Sequence, residues 1–255
     1  MNFLITTKHY LKRFFTNPLE VALMTLLPAG IIFINILVFD NIANEAGADN
    51  MYNSYNLAAT AITMMILFMF QLMSGVYAGQ SIFVDLRQDR RWRLMAAPVP
   101  MSTYVFGAIA ASMIFSLTTA ALILGVSFFA FNIFLGNIAI VVVAVFLIAL
   151  MSQFIGIIIS FFAKSKGAID GIVMAISFTM SAMVGGFLIN IPVPQFIREN
   201  IIPTGVAFRA VGVYDPINTI AGYRMNDSLI AIGILIGMTF LLGIVTLVIA
   251  RRRPF

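Results

Sequence analysis

The chain has 255 residues, of which 61% are hydrophobic types and only 10% are charged, and its formal net charge is +5. Ordinary soluble domains have about 45–50% apolar and about 25% charged residues, so this composition excludes a typical soluble enzyme or binding domain. The chain contains no cysteine, which excludes disulfides and thiolate metal sites within it. The composition indicates an integral membrane protein.

Residues 1–17 combine basic residues with apolar residues at helical spacing. The basic residues are Lys8, Lys12 and Arg13, and the apolar ones are Phe3, Leu4, Leu11, Phe14 and Phe15. This pattern predicts an amphipathic helix lying in the membrane surface; a basic tail without fixed structure is the alternative. His9 is the sole histidine, and a catalytic role for it is not favoured. Nothing here resembles a compact apolar region with a cleavage site, so we expect no cleavable signal peptide.

Six apolar runs follow, each meeting the roughly 20 residues needed to cross the hydrocarbon core. They are Val21–Phe39, Leu57–Gly79, Tyr104–Phe131, Ile138–Phe162, Gly171–Ile191 and Ser228–Ala250. Continuous runs of this kind predict helices, because only helices and closed barrels satisfy their backbone groups in lipid, and the short alternating pattern of a barrel is absent. The predicted fold is therefore all-α, with six transmembrane helices.

The basic residues predict the orientation of these helices. With both ends of the chain in the cytoplasm, twelve of the fifteen lysines and arginines fall on the inner side. The inner ones are Lys8, Lys12, Arg13, Arg87, Arg90, Arg91, Arg93, Lys164, Lys166, Arg251, Arg252 and Arg253, and the outer ones are Arg198, Arg209 and Arg224. This topology accounts for the positive net charge, so we expect no nucleic-acid partner.

None of the six runs contains Asp, Glu, Lys, Arg or His. Ion-coupled transporters and intramembrane hydrolases usually need such groups at membrane depth, so both classes are disfavoured. Polar side chains do occur in the runs, and the candidates for a substrate path are Asn35, Gln71, Gln153 and Asn190. Hydrogen bonding between helices is the alternative explanation for each of them.

The chain also lacks the GxxxxGK[ST] loop of nucleotide-binding proteins, and its predicted inner segments are too short for a nucleotide-binding domain. If the protein performs active transport, its energy must come from another chain.

Charge is concentrated in the stretch FVDLRQDRRWRLMAAPVP, residues 83–100, within an inner segment spanning residues 80–101. Nothing between Ser81 and Ala97 breaks a helix, and Pro98 stops it. Phe83, Leu86 and Leu94 share a face of that helix, so the stretch is typical of a docking element; a solvated basic loop is the alternative. The candidate docking residues are Phe83, Asp85, Leu86, Arg87, Asp89, Arg90, Arg91, Trp92, Arg93, Leu94 and Pro98.

At these residues the chain resembles the membrane permease subunits of type-2 ABC exporters. That family has a segment after its second span with an acidic residue, an arginine, a leucine and a proline-containing end. Here Asp85, Arg87 or Arg90, Leu94 and the sequence AAP ending at Pro98 fill those positions. The chain departs from the family pattern in having Asp85 where glutamate is usual and Arg91-Trp92 near the usual glycine.

The stretch Pro192 to Asp227 is predicted to be outside, yet it is apolar and is divided into short pieces by Pro192, Pro194, Pro203 and Pro216. Asp215 before Pro216 is a good helix start. By itself the pattern indicates either a re-entrant segment or an amphipathic cap. The resemblance implies the former, because the family folds this stretch back into the membrane as short helices.

The resemblance further implies a homodimer or heterodimer of permease chains bound to two copies of a cytoplasmic ABC ATPase. The ATPase would hold ATP and Mg, and this chain would bind no cofactor and catalyse no reaction. Residues 83–97 would form the coupling helix, with further contacts from Lys8, Lys12, Arg13, Lys164 and Lys166.

From these observations we expect a multi-pass protein of the bacterial plasma membrane, surrounded by membrane lipid. Its spans lack fixed charge, which suits export of an amphipathic or hydrophobic substrate such as a drug, an antimicrobial peptide or a lipid-linked molecule. An ATP-independent channel or facilitator is the alternative function. A membrane-embedded enzyme or assembly factor is a third, less favoured because no catalytic constellation is present in the sequence.

Overall fold

The structure is a computed structural model. It describes residues 2–16, 22, 25–35, 37, 51–87, 101–131, 133, 137–184, 191–212 and 225–252. Every regular element within these residues is helical. The predicted all-α fold class is therefore confirmed for this part of the chain.

The described helices are numbered here in chain order. They are α1 (Asn2–Phe15), α2 (Thr25–Asn35), α3 (Met51–Met73), α4 (Gly75–Arg87), α5 (Met101–Phe131), α6 (Ile138–Phe162), α7 (Lys166–Val184), α8 (Gln195–Asn200), α9 (Pro203–Val211) and α10 (Met225–Arg252). Five described segments are long and apolar enough to cross a membrane: Ala59–Asp85, Thr103–Phe129, Ile138–Phe162, Lys166–Val184 and Met225–Ala250.

These five segments correspond to the second through sixth predicted spans. The first predicted span, Val21–Phe39, is represented by the shorter apolar helix α2, and the positions flanking it lie largely outside the described residues. The count of six spans and their orientation therefore stay predictions.

The fourth predicted span has the bounds of α6, whereas the fifth begins earlier, at Lys166 rather than Gly171. The reason is local, because the Ser165 hydroxyl accepts a hydrogen bond from the Ala168 backbone N–H at 3.2 Å and so caps the helix start. Lys166 and Asp170 therefore lie inside α7, although their charge places them outside an apolar run. The last predicted residues of this span, 185–190, lie outside the described residues.

The second predicted span is two consecutive helices, α3 and α4, with a turn at Ser74 between them. The Ser74 hydroxyl donates back to the Gln71 carbonyl at 2.6 Å, and its backbone N–H is shared between the Phe70 and Gln71 carbonyls at 3.1 and 3.3 Å. Serine bonding of this kind competes with the regular helical ladder and bends helices. The polar residue thus explains the irregular turn within an otherwise apolar span.

Helix α6 lies at the centre of the described bundle, in contact with α3, α4, α5, α7, α9 and α10. It packs extensively against α4, where Gly75 and Gly79 of α4 meet Gly156 of α6. Helices in membranes associate through small residues that let backbones approach closely. These glycines allow the close approach that fixes α4 on the central helix.

The segment from 191 to 212 contains two short helices, in agreement with the predicted division by prolines. Pro203 is the first residue of α9, and Gly212 ends it in the left-handed conformation with φ 79°. All of α9 is buried except Arg209, because the helix packs against α3, α6, α7 and α10. The predicted helix start at Asp215 lies outside the described residues.

Candidate functional site

One end of the bundle brings together α1, the C-terminal part of α4 and the turn between α6 and α7. We call it the basic end, because Lys8, Lys12, Lys164 and Lys166 are all exposed there. The C-terminal part of α10 reaches the same end, where Ile249 packs against the cluster that contains residues of α1 and α5. The basic end is the one from which the charged stretch leaves α4.

A buried polar contact joins α1 to α4 at this end. The Tyr10 hydroxyl donates a hydrogen bond to Asp85 Oδ2, and the two residues are 1% and 6% exposed. Arg13 Nη1 lies 3.8 Å from Asp85 Oδ1. Burial, together with the negative charge of Asp85 and the hydrogen bond to it, raises the pKa of the Tyr10 phenol above its ordinary value. The phenol therefore stays protonated at physiological pH and serves Asp85 as a donor.

Aromatic packing holds the same face of α1 against the bundle. The Phe14 and Tyr77 rings meet edge to face with centroids 5.5 Å apart, and Tyr77 meets Phe115 in the same way at 4.8 Å. A Cβ added at Gly107 of α5 would lie 2.8 Å from Thr6 Cγ2, so α1 also approaches α5 closely. Helix α1 is thus docked on both α4 and α5.

This docking leaves one face of α1 buried in the bundle and another face exposed. The segment is helical, as expected, and the alternative of an unstructured tail is wrong. The buried face carries Thr7, Tyr10 and Phe14, whereas Leu4 is 73% exposed and Phe15 is 49% exposed, and the position of α1 in the membrane surface stays a prediction. The physical reason is that Tyr10 and Thr7 can be buried once their hydroxyls have acceptors, which are Asp85 and the Phe3 carbonyl.

The opposite side of α4 contacts the start of α7. Gln80 donates a hydrogen bond from Nε2 to Asp170 Oδ1, and Phe83 belongs to a buried apolar cluster with Ile169 and Val173. Helix α4 is therefore held on two sides, by α1 through Asp85 and by α7 through Gln80 and Phe83. These contacts hold the C-terminal end of α4 in place, immediately before residues 88–100 of the chain.

The predicted docking residues divide into three groups. Phe83 and Asp85 are buried in the chain itself, so neither is free for a partner in this arrangement. Leu86 and Arg87 complete α4. The remaining positions lie outside the described residues, and they are Asp89, Arg90, Arg91, Trp92, Arg93, Leu94 and Pro98. Of the predicted further contacts, Arg13 is half-buried beside Asp85, and the four lysines are exposed.

The predicted substrate-path residues Gln71 and Gln153 come together in a polar network inside the bundle. Ser116 of α5 donates its hydroxyl to Gln71 Oε1, and Gln153 Nε2 of α6 donates to the Ser74 hydroxyl at 3.0 Å. Ser116 and Ser74 are themselves 3.1 Å apart, and Gln71 and Gln153 are 1% and 0% exposed. The network joins three helices by hydrogen bonds, which is the alternative role considered for these residues.

The other two substrate-path candidates are not part of this network. Asn35 donates from Nδ2 to the Ile31 carbonyl of its own helix at 2.7 Å. Asn190 lies outside the described residues.

Replacing Gln71 by alanine removes the acceptor of the Ser116 hydroxyl in this network. We expect a loss of about 1–2 kcal/mol in stability, the upper part of the range for hydrogen bonds between membrane helices. Thermal unfolding in detergent followed by circular dichroism measures it, with Asn35→Ala as a control that removes only a bond within one helix. An altered transport KM with unchanged thermal stability would instead assign Gln71 to substrate binding.

At the opposite end of the bundle, Arg209 connects the short helices to α10. Its Nη1 donates to Asn200 Oδ1 at 2.6 Å, and its Nη2 lies 4.0 Å from Asp227 Oδ1. Arg198 likewise pairs with Glu199 at 3.4 Å. Two of the three arginines predicted to be outside thus have local polar partners, which gives each of them a structural reason to be there; Arg224 lies outside the described residues.

Comparison with known families gives a match over most of the chain. The family model for the ABC-2 family transporter protein matches residues 39–252, which include every described helix from α3 to α10. No curated protein matches the chain. With its apolar spans, the match makes this a multi-pass membrane chain of the transport type rather than a catalytic one. The chain belongs to the ABC-2 family of membrane transporter proteins.

Proposed function

We propose that this chain is the membrane-spanning permease subunit of an ABC exporter, driven by a separate ABC ATPase that docks on its basic end. The observation that carries the proposal is the double attachment of α4. Asp85 binds α1 and Gln80 binds α7, so any force on the stretch that follows α4 is passed to two other helices. Such an attachment suits a docking element, whereas a facilitator does not need one.

The docking surface would consist of the charged stretch after α4 together with the turn between α6 and α7. Lys164 and Lys166 of that turn are exposed, and the turn lies beside Phe83, since Ala163 and Ile169 pack in the same cluster. The basic end would face the cytoplasm, in accord with the positive-inside rule. Two permease chains, identical or related, would bind two ATPase copies. The ATPase copies would bind ATP and Mg.

The opposite end would contain the exit gate. The burial of α9 among α3, α6, α7 and α10 supports a re-entrant segment that closes the bundle from that side. Phe208 of α9 meets Phe68. Ala59 begins the apolar span that contains Phe68, and at about 1.5 Å per residue Phe68 lies about 13 Å further along it, so α9 reaches well into the bundle. Closure of the ATPase pair would rock the spans and release α9, as in rigid-body switching between two accessible states.

The substrate class follows from the absence of charge along the central helices. Between Ala59 and Val84, and throughout α6, the described chain carries no Asp, Glu, Lys, Arg or His. A strongly charged solute would have no group to offset its desolvation there. An amphipathic or hydrophobic molecule, such as a drug, an antimicrobial peptide or a lipid-linked molecule, is therefore the proposed cargo.

Charge reversal at Arg90, Arg91 and Arg93 tests the proposed docking. Replacing all three by glutamate is expected to reduce co-purification of the ATPase by tenfold or more, because loss of a charged interface pair costs about 2–5 kcal/mol. The matched control reverses Arg251, Arg252 and Arg253, the three basic residues that follow the last apolar run. Association that survives the triple change as well as it survives the control would contradict docking at this stretch.

A further inference from the structure

In the buried contact between α1 and α4, the Asp85 carboxylate has two partners that lie at different distances from it. Tyr10 hydrogen-bonds directly to it, whereas Arg13 Nη1 stands 3.8 Å away, beyond hydrogen-bonding distance. A buried carboxylate needs hydrogen bonds as well as a nearby charge, because burial removes its hydration. The Tyr10 hydroxyl is therefore the principal group that makes the buried position of Asp85 acceptable.

The position of Asp85 in the chain gives this contact a consequence beyond stability. Asp85 lies in the last turn of α4, which ends at Arg87, immediately before the charged stretch. Helix α1 itself is fixed to α5, where Gly107 contacts Thr6 and where Phe115 packs near Phe14 with ring centroids 6.1 Å apart. A bond from Tyr10 to Asp85 therefore ties the end of α4 to a helix that is anchored elsewhere in the bundle.

We propose that Tyr10 is a positioning residue for coupling: by its hydrogen bond to Asp85, it fixes the position of the end of α4, which precedes the stretch proposed to bind the ATPase. Asp85 and Arg13 act with Tyr10 inside this contact and do not touch the ATPase. The inference rests on the proposed function and replaces the predicted roles of Asp85 and Arg13 as direct ATPase contacts. Through this hydrogen bond, α1 as a whole connects α5 to the end of α4.

The first measurement tests the contact without any ATPase. The chain has no cysteine, so Thr7→Cys introduces a single thiol on the buried face of α1, where Thr7 is 8% exposed. The labelling rate of this thiol by a maleimide in detergent reports how often α1 leaves the bundle. Adding Tyr10→Phe keeps the ring but removes the hydroxyl, and we expect labelling to become about tenfold faster or more, since a hydrogen bond to a charged group is lost. The control Ser112→Ala removes a buried hydroxyl that bonds only within α5 and should leave the rate unchanged.

The second measurement uses the complex of the chain with its co-purified ATPase in proteoliposomes. We expect Tyr10→Phe to leave ATPase binding intact but to lower the amount of substrate transported per ATP hydrolysed by about threefold or more, given a destabilised contact. Asp85→Asn retains an acceptor for the Tyr10 hydroxyl, so it should keep most of this ratio. A purely structural role would lower protein yield or thermal stability in both variants without changing the ratio.

The two measurements separate the possible failures. Unchanged labelling in Tyr10→Phe would overturn the contact itself, and faster labelling with an unchanged transport ratio would overturn its role in coupling. Faster labelling in a chain that binds no ABC ATPase at all would leave the contact standing but overturn its role in coupling, along with the proposed function on which that role rests.

Discussion

Replacement of Gly156 by alanine is expected to prevent correct assembly of the bundle. A Cβ at this position would lie 1.9 Å from the Gly75 carbonyl oxygen and 2.6 Å from its carbonyl carbon. Both are backbone atoms of α4, so no side chain can rotate away, and α4 would have to separate from α6. Overpacking typically costs about 1–3 kcal/mol, and displacement of a whole helix places this case at or above the upper limit.

The measurement is size-exclusion chromatography of a fluorescent fusion in mild detergent, where the variant should aggregate or elute as a broad peak. Gly125→Ala and Gly233→Ala are matched controls, because nothing lies within 4 Å of a Cβ at either position. Alanine is the better helix former by about 1 kcal/mol, so both controls should be as stable as the parent chain or slightly more so. A monodisperse Gly156→Ala protein with unchanged thermal stability would refute the close contact between α4 and α6.

Phe208→Ala is expected to release α9 from its position among the spans. The Phe208 side chain is 5% exposed and meets Phe68 edge to face with ring centroids 5.8 Å apart. Removal of a buried phenylalanine side chain costs about 3–5 kcal/mol, because the surrounding atoms only partly fill the cavity. Other attachments of α9 remain in this variant, among them its packing against α6 and α10 and the hydrogen bond from the Thr204 hydroxyl to the Met180 carbonyl at 3.2 Å.

Limited proteolysis of the segment 191–212, together with thermal unfolding, measures this release. We expect cleavage in the Phe208→Ala variant under conditions that leave the parent chain intact. The control is Phe196→Ala on α8, where the side chain is 70% exposed and its loss should change neither reading. Equal resistance of the two variants would show that α9 is not held by its contact with α3.

The sequence predicts those elements of this protein whose limits are set by neighbouring residues. The bounds of α6 follow from a continuous apolar run and from Asn137, whose side chain accepts a hydrogen bond from the Ala139 N–H at 3.1 Å. The short helices after residue 191 follow from Pro194 and Pro203, since proline favours the start of a helix and interrupts its interior. Each of these signals acts over a few residues and can be recognised without a structure.

Contacts between distant parts of the chain could not be predicted in this way. Tyr10 and Asp85 are 75 positions apart, and nothing near either residue indicates that they meet. From the sequence alone, Asp85 is therefore a candidate docking residue and Tyr10 has no predicted role. The one available signal is that Asp85 is the first charged residue after the apolar run Leu57–Gly79, because a carboxylate that becomes buried needs a partner.

The substrate-path candidates illustrate the same difference. Gln71 and Gln153 are candidates because polar side chains in membrane spans are uncommon, and that property is shared by residues that bind substrate and residues that bind other helices. Their hydrogen bonds with Ser74 and Ser116 depend on the packing of three helices. Only the arrangement of the bundle distinguishes the two roles.

The central claim is that this chain functions as the permease half of a two-component transporter. Its most direct test is purification of the tagged chain from its native membranes in a mild detergent, followed by mass spectrometry of the proteins that remain bound. The account predicts an ABC ATPase in stoichiometric amount with the permease. Absence of any nucleotide-binding partner, under conditions in which other membrane complexes of the same cells remain intact, would contradict the account and favour an ATP-independent facilitator.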